Sequence, residues 1–268
     1  MLTAAALTVA LAAHAPLVVQ DSRERFPLTS VADAPVRVAG VGSDRRPAVY
    51  GRVAPSKRGG AWLQYWLFYR GQDQDRGIVR TGRHAADWEM VQVRVDPAAR
   101  PVEVVFAQHS GGERDRWRDV TTRGGHLVVY VAHGSHASYA RAGVRDRTWP
   151  DPNDEANGRG AVARPHLVRV SATSPRWMRR PQPWGGARAR WWVPGEQDSP
   201  VGPAFQPQGR WRDPDAWAAA ARSDRAGCDR LGECDTREQL LGGGAAALAL
   251  LVVLAGGEIR RRRAYRQA

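Results

Sequence analysis

Cysteine is scarce in this chain of 268 residues, and the signatures of several common functional classes are missing. Its two cysteines are too few for a disulfide framework, and two thiols alone do not complete a zinc site. The absence of a Walker motif, a dinucleotide glycine motif and a G-x-S-x-G elbow argues against P-loop, Rossmann-type and α/β-hydrolase chemistry. Helix-turn-helix, zinc-finger and RNA-recognition signatures are also missing, so we expect no nucleic acid as partner.

Lysine is almost absent as well, because Lys57 is the single lysine and every other basic residue is arginine. The formal net charge is nevertheless +13. Such an excess favours anionic surfaces, for example phospholipid headgroups or acidic glycans. Genomic base composition is the alternative explanation for the preference for arginine. The hydrophobic content of 43% is enough for a sizeable core, and 28 glycines with 18 prolines predict many turns.

Charge is absent from residues 240–257, a stretch of apolar and small side chains near the C-terminus. A helix of this length spans about 27 Å, close to the hydrocarbon thickness of a thin bilayer. Five arginines between residues 260 and 266 follow directly. The positive-inside rule then places the C-terminus in the cytoplasm and the rest of the chain outside. We therefore predict a single-pass protein of the cell membrane, with a transmembrane helix at 240–257 and a basic cytoplasmic tail at 258–268. A buried core helix is the alternative for 240–257.

The N-terminal residues 1–13 form a second apolar segment, with the size of a signal-peptide core. No lysine or arginine precedes it, which is atypical of such peptides, but the sequence Ala10-Leu11-Ala12 resembles a small-residue cleavage site. Between the two apolar segments we predict an extracellular domain at 14–225 and a juxtamembrane linker at 226–239.

Both cysteines, Cys228 and Cys234, lie in this linker on the predicted outer side. Disulfides persist in that compartment, so we expect a small disulfide-closed loop. A metal-binding pair of thiols is the weaker alternative.

Stretches rich in β-branched and aromatic residues predict the strands of an all-β domain. The predicted strands are 61–69, 87–95, 102–108, 126–132 and 166–170. A short helix is predicted at 213–222, because Asp213 is a good N-cap and Pro214 suits the first helical position. Residues 14–60 are expected to be irregular, apart from short strands such as 37–41. Short strands with long loops favour an antiparallel β-sandwich.

The segment HAADWE, residues 84–89, is the most informative part of the chain, and valines alternate directly after it. Because side chains alternate between the faces of a strand, Asp87 and Glu89 share a face with Val91, Val93 and Val95. Two ionised carboxylates beside a core cost several kcal/mol unless something compensates them. A divalent cation is the simplest compensation, and Mg²⁺ or Ca²⁺ is the expected ion because both prefer oxygen ligands. The predicted metal ligands are His84, Asp87 and Glu89, with Asp73 and Asp75 upstream.

Two further polar clusters, at 108–113 and 133–139, follow the ends of predicted strands. If those strands align, the clusters meet HAADWE at one rim of the sandwich. The resulting candidate pocket residues are Gln108, His109, Glu113, His133, Ser135, His136 and Tyr139. For each single histidine, a hydrogen-bonded structural role is the competing interpretation.

The motifs YWLFY, HAADWE, QHSGGE and VVYVAHGSHASY together resemble the vacuolar protein sorting-associated protein 62 family. The later tryptophan-rich stretch RWWVPGEQDSPVGPAFQPQGRWRDPDAW fits the C-terminal part of the same family. The resemblance extends over roughly residues 14–220. A trafficking role suggested by the family's name does not transfer directly to a surface-anchored domain.

A more distant resemblance is to the necrosis- and ethylene-inducing peptide-like cytolysins, which have a histidine three residues before the Asp of a DWE triplet. It implies a β-sandwich that holds a divalent cation and engages sphingolipid headgroups. It also implies His84, Asp87 and Glu89 as ligands, with Asp73 or Asp75 as the fourth. The chain departs from the toxins in its predicted membrane anchor and in the two alanines of HAADWE, which replace an Arg-His pair.

Three functions are compatible with these patterns. The first is a binding module whose metal-centred pocket takes a polar headgroup or a glycan, and the second is a metal-dependent hydrolase of a phosphoester or glycan. The third is a structural domain in which the cation only makes loops rigid. Tryptophans that could stack on sugars, or instead pack a loop-rich half of the domain, are Trp177, Trp184, Trp191, Trp192, Trp211 and Trp217.

The predicted topology is testable on intact cells. Protease added outside should cleave the chain within residues 20–235, because this region lies outside the membrane, and should leave a C-terminal epitope tag protected. Protection of residues 20–235 under conditions that digest a known surface protein would contradict the orientation.

Overall fold

The computed structural model describes residues 3–74, 82–109, 111–145, 153–186, 189–190, 196–221, 227–228, 248 and 252. Within these ranges the chain is mostly β, with helices α1 (Ala4–Ala13) and α2 (Pro214–Ala220). No helix in this described part is long and apolar enough to cross a membrane. The predicted helix at 240–257, apart from two of its residues, the tail at 258–268 and Cys234 lie outside the described ranges.

The strands of the described residues form three sheets. They are β1 (Leu17–Gln20), β2 (Ala48–Pro55), β3 (Ala61–Gln72), β4 (His84–Val95), β5 (Pro101–Gln108), β6 (Gly111–Arg116), β7 (Thr122–Arg123), β8 (His126–Val131), β9 (Ser138–Tyr139), β10 (Gly143–Arg145), β11 (Asp154–Ala156), β12 (Val162–Ala163), β13 (His166–Arg169) and β14 (Gly227–Cys228). A six-stranded sheet has the order β13-β2-β3-β4-β5-β6, and a five-stranded sheet has the order β12-β1-β8-β7 with β9 beside β8. The third sheet is β11-β10-β14.

The two larger sheets pack against each other around a shared apolar core. Leu63 and Val91 of the six-stranded sheet and Val18 and Val129 of the five-stranded sheet are all buried there. The structure is therefore a β-sandwich. The expectation of purely antiparallel pairing is wrong at two places, because β1 runs parallel to β8 and β13 runs parallel to β2. In both cases a long stretch of chain joins the paired strands, and such connections permit parallel pairing.

A second apolar core covers the other face of the six-stranded sheet. The C-terminal part of the chain supplies buried tryptophans that pack on Trp66 and Trp88 of β3 and β4. Because β3 and β4 are covered on both faces, the sequence of β3 is an almost continuous apolar run. The tryptophans that fill this core are Trp177, Trp184, Trp211 and Trp217, so packing is their role. Trp191 and Trp192 lie outside the described residues.

Most of the predicted strands are present, and the predicted short helix is present as α2. The side chain of Asp213 caps α2 by accepting a hydrogen bond from the backbone N–H of Ala216 at 3.0 Å. The N-terminal region is more regular than expected, since β1 and β2 lie there. The short strand expected at 37–41 is wrong, because the chain turns at Gly40, which has a φ of 79°.

Helix α1 packs against the end of the core between the two large sheets. Leu11 is buried, and its carbonyl accepts a hydrogen bond from the hydroxyl of Tyr65 at 3.0 Å. The backbone of Gly51 lies directly beneath, where an added Cβ would lie 2.5 Å from Leu167 and 3.2 Å from Leu11. The apolar segment at the N-terminus therefore contributes to the core of the domain.

Candidate binding pocket

A pocket of about 420 Å³ opens at one end of the six-stranded sheet. This volume is in the range of small-molecule sites. Four parts of the chain form its wall: the end of β3, the start of β4, the residue after β5, and the segment 197–210. The lining residues are Gln72, Gln74, His84, Asp87, Trp88, Glu89, His109, Gln197, Pro200, Val201, Gln206, Pro207, Gln208 and Arg210.

The HAADWE segment forms the start of β4 and contributes three polar side chains to this pocket. Asp87 pairs with Tyr69 of β3, and Glu89 pairs with Leu67. Both carboxylates are buried, each with 5% exposure, on the strand face that continues into the core valines. His84 is partly buried, and its Nδ1 lies 2.6 Å from the carbonyl oxygen of Ala86. Because a carbonyl only accepts hydrogen bonds, Nδ1 carries the proton and Nε2 is left as an acceptor.

The Asp87 carboxylate is paired with a buried histidine. His136 is fully buried, with its Nδ1 2.9 Å from Asp87 Oδ2 and its Nε2 3.3 Å from Glu24 Oε1. Its ring stacks on Tyr69 with the centroids 3.9 Å apart. Burial lowers the pKa of His136, but the hydrogen bonds to Asp87 and Glu24 outweigh burial and raise the pKa to about 9. For Glu24, burial raises the pKa, but His136 outweighs it and lowers the pKa to about 2. An imidazolium therefore lies between two carboxylates at neutral pH.

A tight turn after β8 holds His136 in this position. The backbone N–H of His136 donates to Ala132 O at 3.1 Å, and His136 itself has a φ of 56°. Gly134 in the same turn has a φ of 72°, and a Cβ there would lie 2.1 Å from Asp73 O. Only glycine fits this approach, which lets the Gly134 N–H donate to Glu24 Oε2 at 2.7 Å.

The Glu89 carboxylate has a different cationic neighbour, Arg210. Arg210 is 2% exposed, and its Nη1 lies 3.5 Å from Glu89 Oε2. Its Nη2 donates to the carbonyl of His109, and its guanidinium lies 5.5 Å from the ring centroid of Trp217. Burial raises the pKa of Glu89 well above its usual value, and Arg210 offsets this rise only in part. The protein thus supplies its own positive charges, His136 and Arg210, next to both buried carboxylates.

His136 and Arg210 provide an alternative to a metal ion as compensation for the buried carboxylates. The burial of Asp87 and Glu89 does not by itself require an inorganic cation, because His136 and Arg210 lie beside them. Among the residues that the structure describes, no group of three His, Cys, Asp or Glu side chains is placed to hold a metal. Two atoms with suitable donor chemistry, His84 Nε2 and Glu89 Oε2, nevertheless make none of the hydrogen bonds described above.

The other predicted ligands and pocket residues are placed as follows. Asp73 pairs with Arg25 at 3.5 Å and does not line the pocket, and Asp75 lies outside the described residues. Gln108 donates to Glu113 Oε2 at 3.1 Å, also away from the pocket lining. The backbone N–H of His133 donates to Glu155 O at 2.7 Å. Ser135 and Tyr139 join His109, which does line the pocket, through shared hydrogen bonds to Asp154.

Several polar atoms of the pocket lining have no hydrogen-bond partner in the described part of the chain, although they are buried. They include acceptors and donors: Glu89 Oε2, Gln206 Oε1, Gln208 Oε1, Gln74 Nε2, Trp88 Nε1 and Arg210 Nε. A buried polar atom without a partner costs about 1–3 kcal/mol, so native structures rarely leave one unexplained. Six such atoms on residues that line one pocket favour a polar ligand there.

Several residues of this site are not among those predicted from the sequence. Glu24 follows the apolar strand β1, so the same pattern that singled out His109 and His133 could have found it. Arg210 and the five glutamines of the lining carry no such signal, because they belong to loops or to strand ends without periodic neighbours. Asp154 lies beyond a long polar stretch whose path the sequence does not indicate.

The model of the family described as vacuolar protein sorting-associated protein 62 matches residues 74–147. These residues contain HAADWE, QHSGGE and VVYVAHGSHASY, so the resemblance expected from those motifs is confirmed over this part of the chain. No curated protein matches the sequence at a significant level.

Several solved structures are similar to this chain, and they belong to the second family that the motifs suggested. A structure described as a toxin fold for microbial attack and plant defense is 19% identical, covers 63% of this chain and 76% of its own, and has a TM-score of 0.41. NLPPya in complex with mannosamine is 18% identical, with coverages of 77% and 90% and a TM-score of 0.46. Necrosis and Ethylene inducing Protein 2 from the agent of cocoa's witches' broom disease is 14% identical, with coverages of 60% and 72% and a TM-score of 0.38.

The imidazolium of His136 gives a pH-dependent prediction. Replacing His136 by Gln leaves Asp87 and Glu24 without their shared cation, so at pH 6 the free energy of unfolding should fall by about 3–5 kcal/mol. The raised pKa means that the native protein has this contribution in full below pH 6.5 and loses it as the pH rises through about 9. In urea denaturation, the difference in free energy of unfolding between the native protein and His136→Gln should therefore decrease by about 3 kcal/mol from pH 6 to pH 9.5.

The matched control is His166→Gln, which removes a partly exposed imidazole whose Nδ1 lies 3.0 Å from Pro47 O. It should change the free energy of unfolding by less than about 0.5 kcal/mol at every pH. A His136→Gln protein as stable as the native one at pH 6 would contradict the charge assignment.

Proposed function

We propose that this chain, whose residues 74–147 match the family model, is a binding module for a polyhydroxylated ligand, either a glycan or the polar headgroup of a lipid. The observation that carries the proposal is the set of unpaired donors and acceptors in the pocket lining. A hydroxyl group donates one hydrogen bond and accepts others, so a single polyol satisfies both kinds of atom.

The composition of the lining supports the same class of ligand. Five glutamines and two carboxylates provide hydrogen bonds of both polarities, while Trp88 adds an apolar surface. Arg210 and the carboxylate of Glu89 lie side by side, so the lining does not favour a ligand of one charge. A neutral or weakly charged sugar or inositol ring matches this balance better than a strongly charged ligand.

The proposal retains a divalent cation, Mg²⁺ or Ca²⁺, held by His84, Asp87 and Glu89. These are the polar side chains that β4 contributes to the pocket. A hard cation at this point would bind ligand hydroxyls directly. The polar side chains of the lining would contact the ligand with or without the ion, because they border the same pocket.

We also propose that the module is displayed on the outer face of the cell membrane by the helix at 240–257. The net charge of +13 is compatible with an anionic headgroup layer or with acidic glycans near the site. The pocket would then meet ligands that are fixed at a surface, for which many weak contacts suffice.

Hydrolysis is the second candidate function, and one observation favours it. His109 lines the pocket and its Nε2 is 2.6 Å from the carboxylate of Asp154, a geometry used by general bases. Release of phosphate or free sugar from a probe would support this function over simple binding. A ligand-free domain stabilised by a cation is the third candidate.

The binding proposal predicts affinity for at least one compound in a defined panel. Isothermal titration with methyl hexopyranosides, mannosamine, glucuronic acid and myo-inositol, and flotation with phosphatidylinositol vesicles, should give binding to the native ectodomain. Glu89→Gln should weaken that binding by about tenfold or more, because a buried carboxylate hydrogen bond is lost.

The control for this experiment is Glu103→Gln, which breaks an ion pair with Arg58 outside the pocket lining. It should bind as well as the native protein. Absence of binding to every member of the panel, by a folded ectodomain with and without added Mg²⁺ and Ca²⁺, would overturn the proposal.

The metal part of the proposal has its own test. Elemental analysis after dialysis against Mg²⁺ or Ca²⁺ should find about one ion per native chain, and Asp87→Asn should lose it, because one charged ligand is removed. The control Asp119→Asn changes an exposed carboxylate and should retain the ion. A native chain without any bound ion, or an unchanged ion content in Asp87→Asn, would exclude these ligands.

A further inference from the structure

A second polar cluster centres on Asp154 and borders the pocket at His109; we call the part of the pocket that is lined by Asp87 and Glu89 its acidic end. This carboxylate is 1% exposed and accepts three hydrogen bonds of 2.6 Å, from His109 Nε2, Ser135 Oγ and Tyr139 OH. Burial of an ionised carboxylate is costly, and three donors are an effective compensation. Ser135 and Tyr139 are themselves buried, so His109 is the member of this cluster that reaches the pocket.

His109 is held by two hydrogen bonds and has an unusual backbone conformation. Its Nε2 is held by Asp154, and its carbonyl oxygen accepts a hydrogen bond from the buried Arg210. Its backbone has a φ of 50°, in the left-handed region that non-glycine residues seldom adopt. Such conformations persist only where the surroundings enforce them, and they are common at ligand sites.

The contact with Asp154 determines which nitrogen of His109 remains available. Because the partner of Nε2 is a carboxylate oxygen, Nε2 carries a proton, and the tautomer that this contact selects has its lone pair at Nδ1. Nδ1 makes no hydrogen bond within the described residues, and 26% of the side chain is exposed at the pocket wall. The ring therefore offers the pocket one acceptor of fixed direction.

We propose that His109 is a specificity-determining residue that recognises a hydroxyl group of the bound ligand by accepting its hydrogen bond at Nδ1. Asp154 is the positioning residue that fixes the ring and its tautomer. Arg210 links this contact to the acidic end of the pocket, because the same guanidinium neighbours Glu89 Oε2 and the His109 carbonyl. The inference rests on the proposed function and adds to it a required hydroxyl, at a defined place in the pocket.

The experiment compares the tightest-binding monosaccharide of the panel with each of its monodeoxy derivatives, by isothermal titration. For the native protein, removal of one particular hydroxyl should raise the Kd about tenfold, because the His109 acceptor then has no partner in the ligand. For His109→Phe, which keeps a ring but has no ring nitrogen, removal of the same hydroxyl should raise the Kd by less than about threefold. The other deoxy penalties should stay as they are in the native protein.

Two further variants separate recognition from a merely structural role. Asp154→Asn places an amide against Nε2 and disturbs the tautomer, so it should reduce the same deoxy penalty while the ring remains. His166→Phe, a change outside the pocket, should leave every penalty unchanged. If either pocket variant fails to fold, the native protein labelled with ¹⁵N-histidine gives the answer, since the sugar should shift the Nδ1 signal of His109 and its deoxy derivative should not.

The outcomes are distinguishable. The inference would be overturned if removal of each hydroxyl raised the Kd equally in the native protein and in His109→Phe, or if the sugar did not shift the Nδ1 signal of His109. Either result would leave the binding function intact. Absence of binding to every sugar, inositol and vesicle would overturn the proposed function together with the inference.

Discussion

The pocket depends on one buried ion cluster, in which the imidazolium of His136 lies between Glu24 and Asp87. The three residues come from the loop after β1, the turn after β8 and the start of β4, so the cluster ties the two sheets of the sandwich together at their rim. Without the cation, two buried carboxylates would be left unpaired there, at a cost of several kcal/mol. The stacking of His136 on Tyr69 fixes the ring in the core, and Asp87 thereby acquires a fixed orientation at the pocket wall.

This cluster also shows why the sequence could predict one half of the site and not the other. The period of two along β4 was sufficient to place Asp87 and Glu89 beside the core, and the structure buries both. The compensating charges come from His136 and Arg210, which are distant in sequence from the carboxylates. His136 was singled out as a pocket residue, but its pairing is a tertiary contact that no local pattern encodes. Arg210 lies in an irregular segment and gave no signal.

The fold was predictable to a similar extent. Strands β3, β4, β5 and β8 have strong apolar patterns, because packing on the two cores selects those residues. Strands β1 and β2 are hard to predict because prolines surround them in the sequence. The parallel pairing of β1 with β8 depends on a long connection, which composition does not reveal. The buried tryptophans of the C-terminal segment illustrate the same limit, since an irregular segment can complete a core without any periodicity.

Charges of the protein itself lie beside the buried acidic groups of the pocket, which leaves the remaining unpaired atoms of the lining for a ligand. The most direct measurement is an NMR titration of the ring nitrogens of His136 in ¹⁵N-histidine-labelled protein. We expect a doubly protonated ring throughout the neutral range, with deprotonation at about pH 9. A His136 ring that is neutral at pH 7.5 would contradict it, because Asp87 and Glu24 would then lack the cation on which the pocket is built.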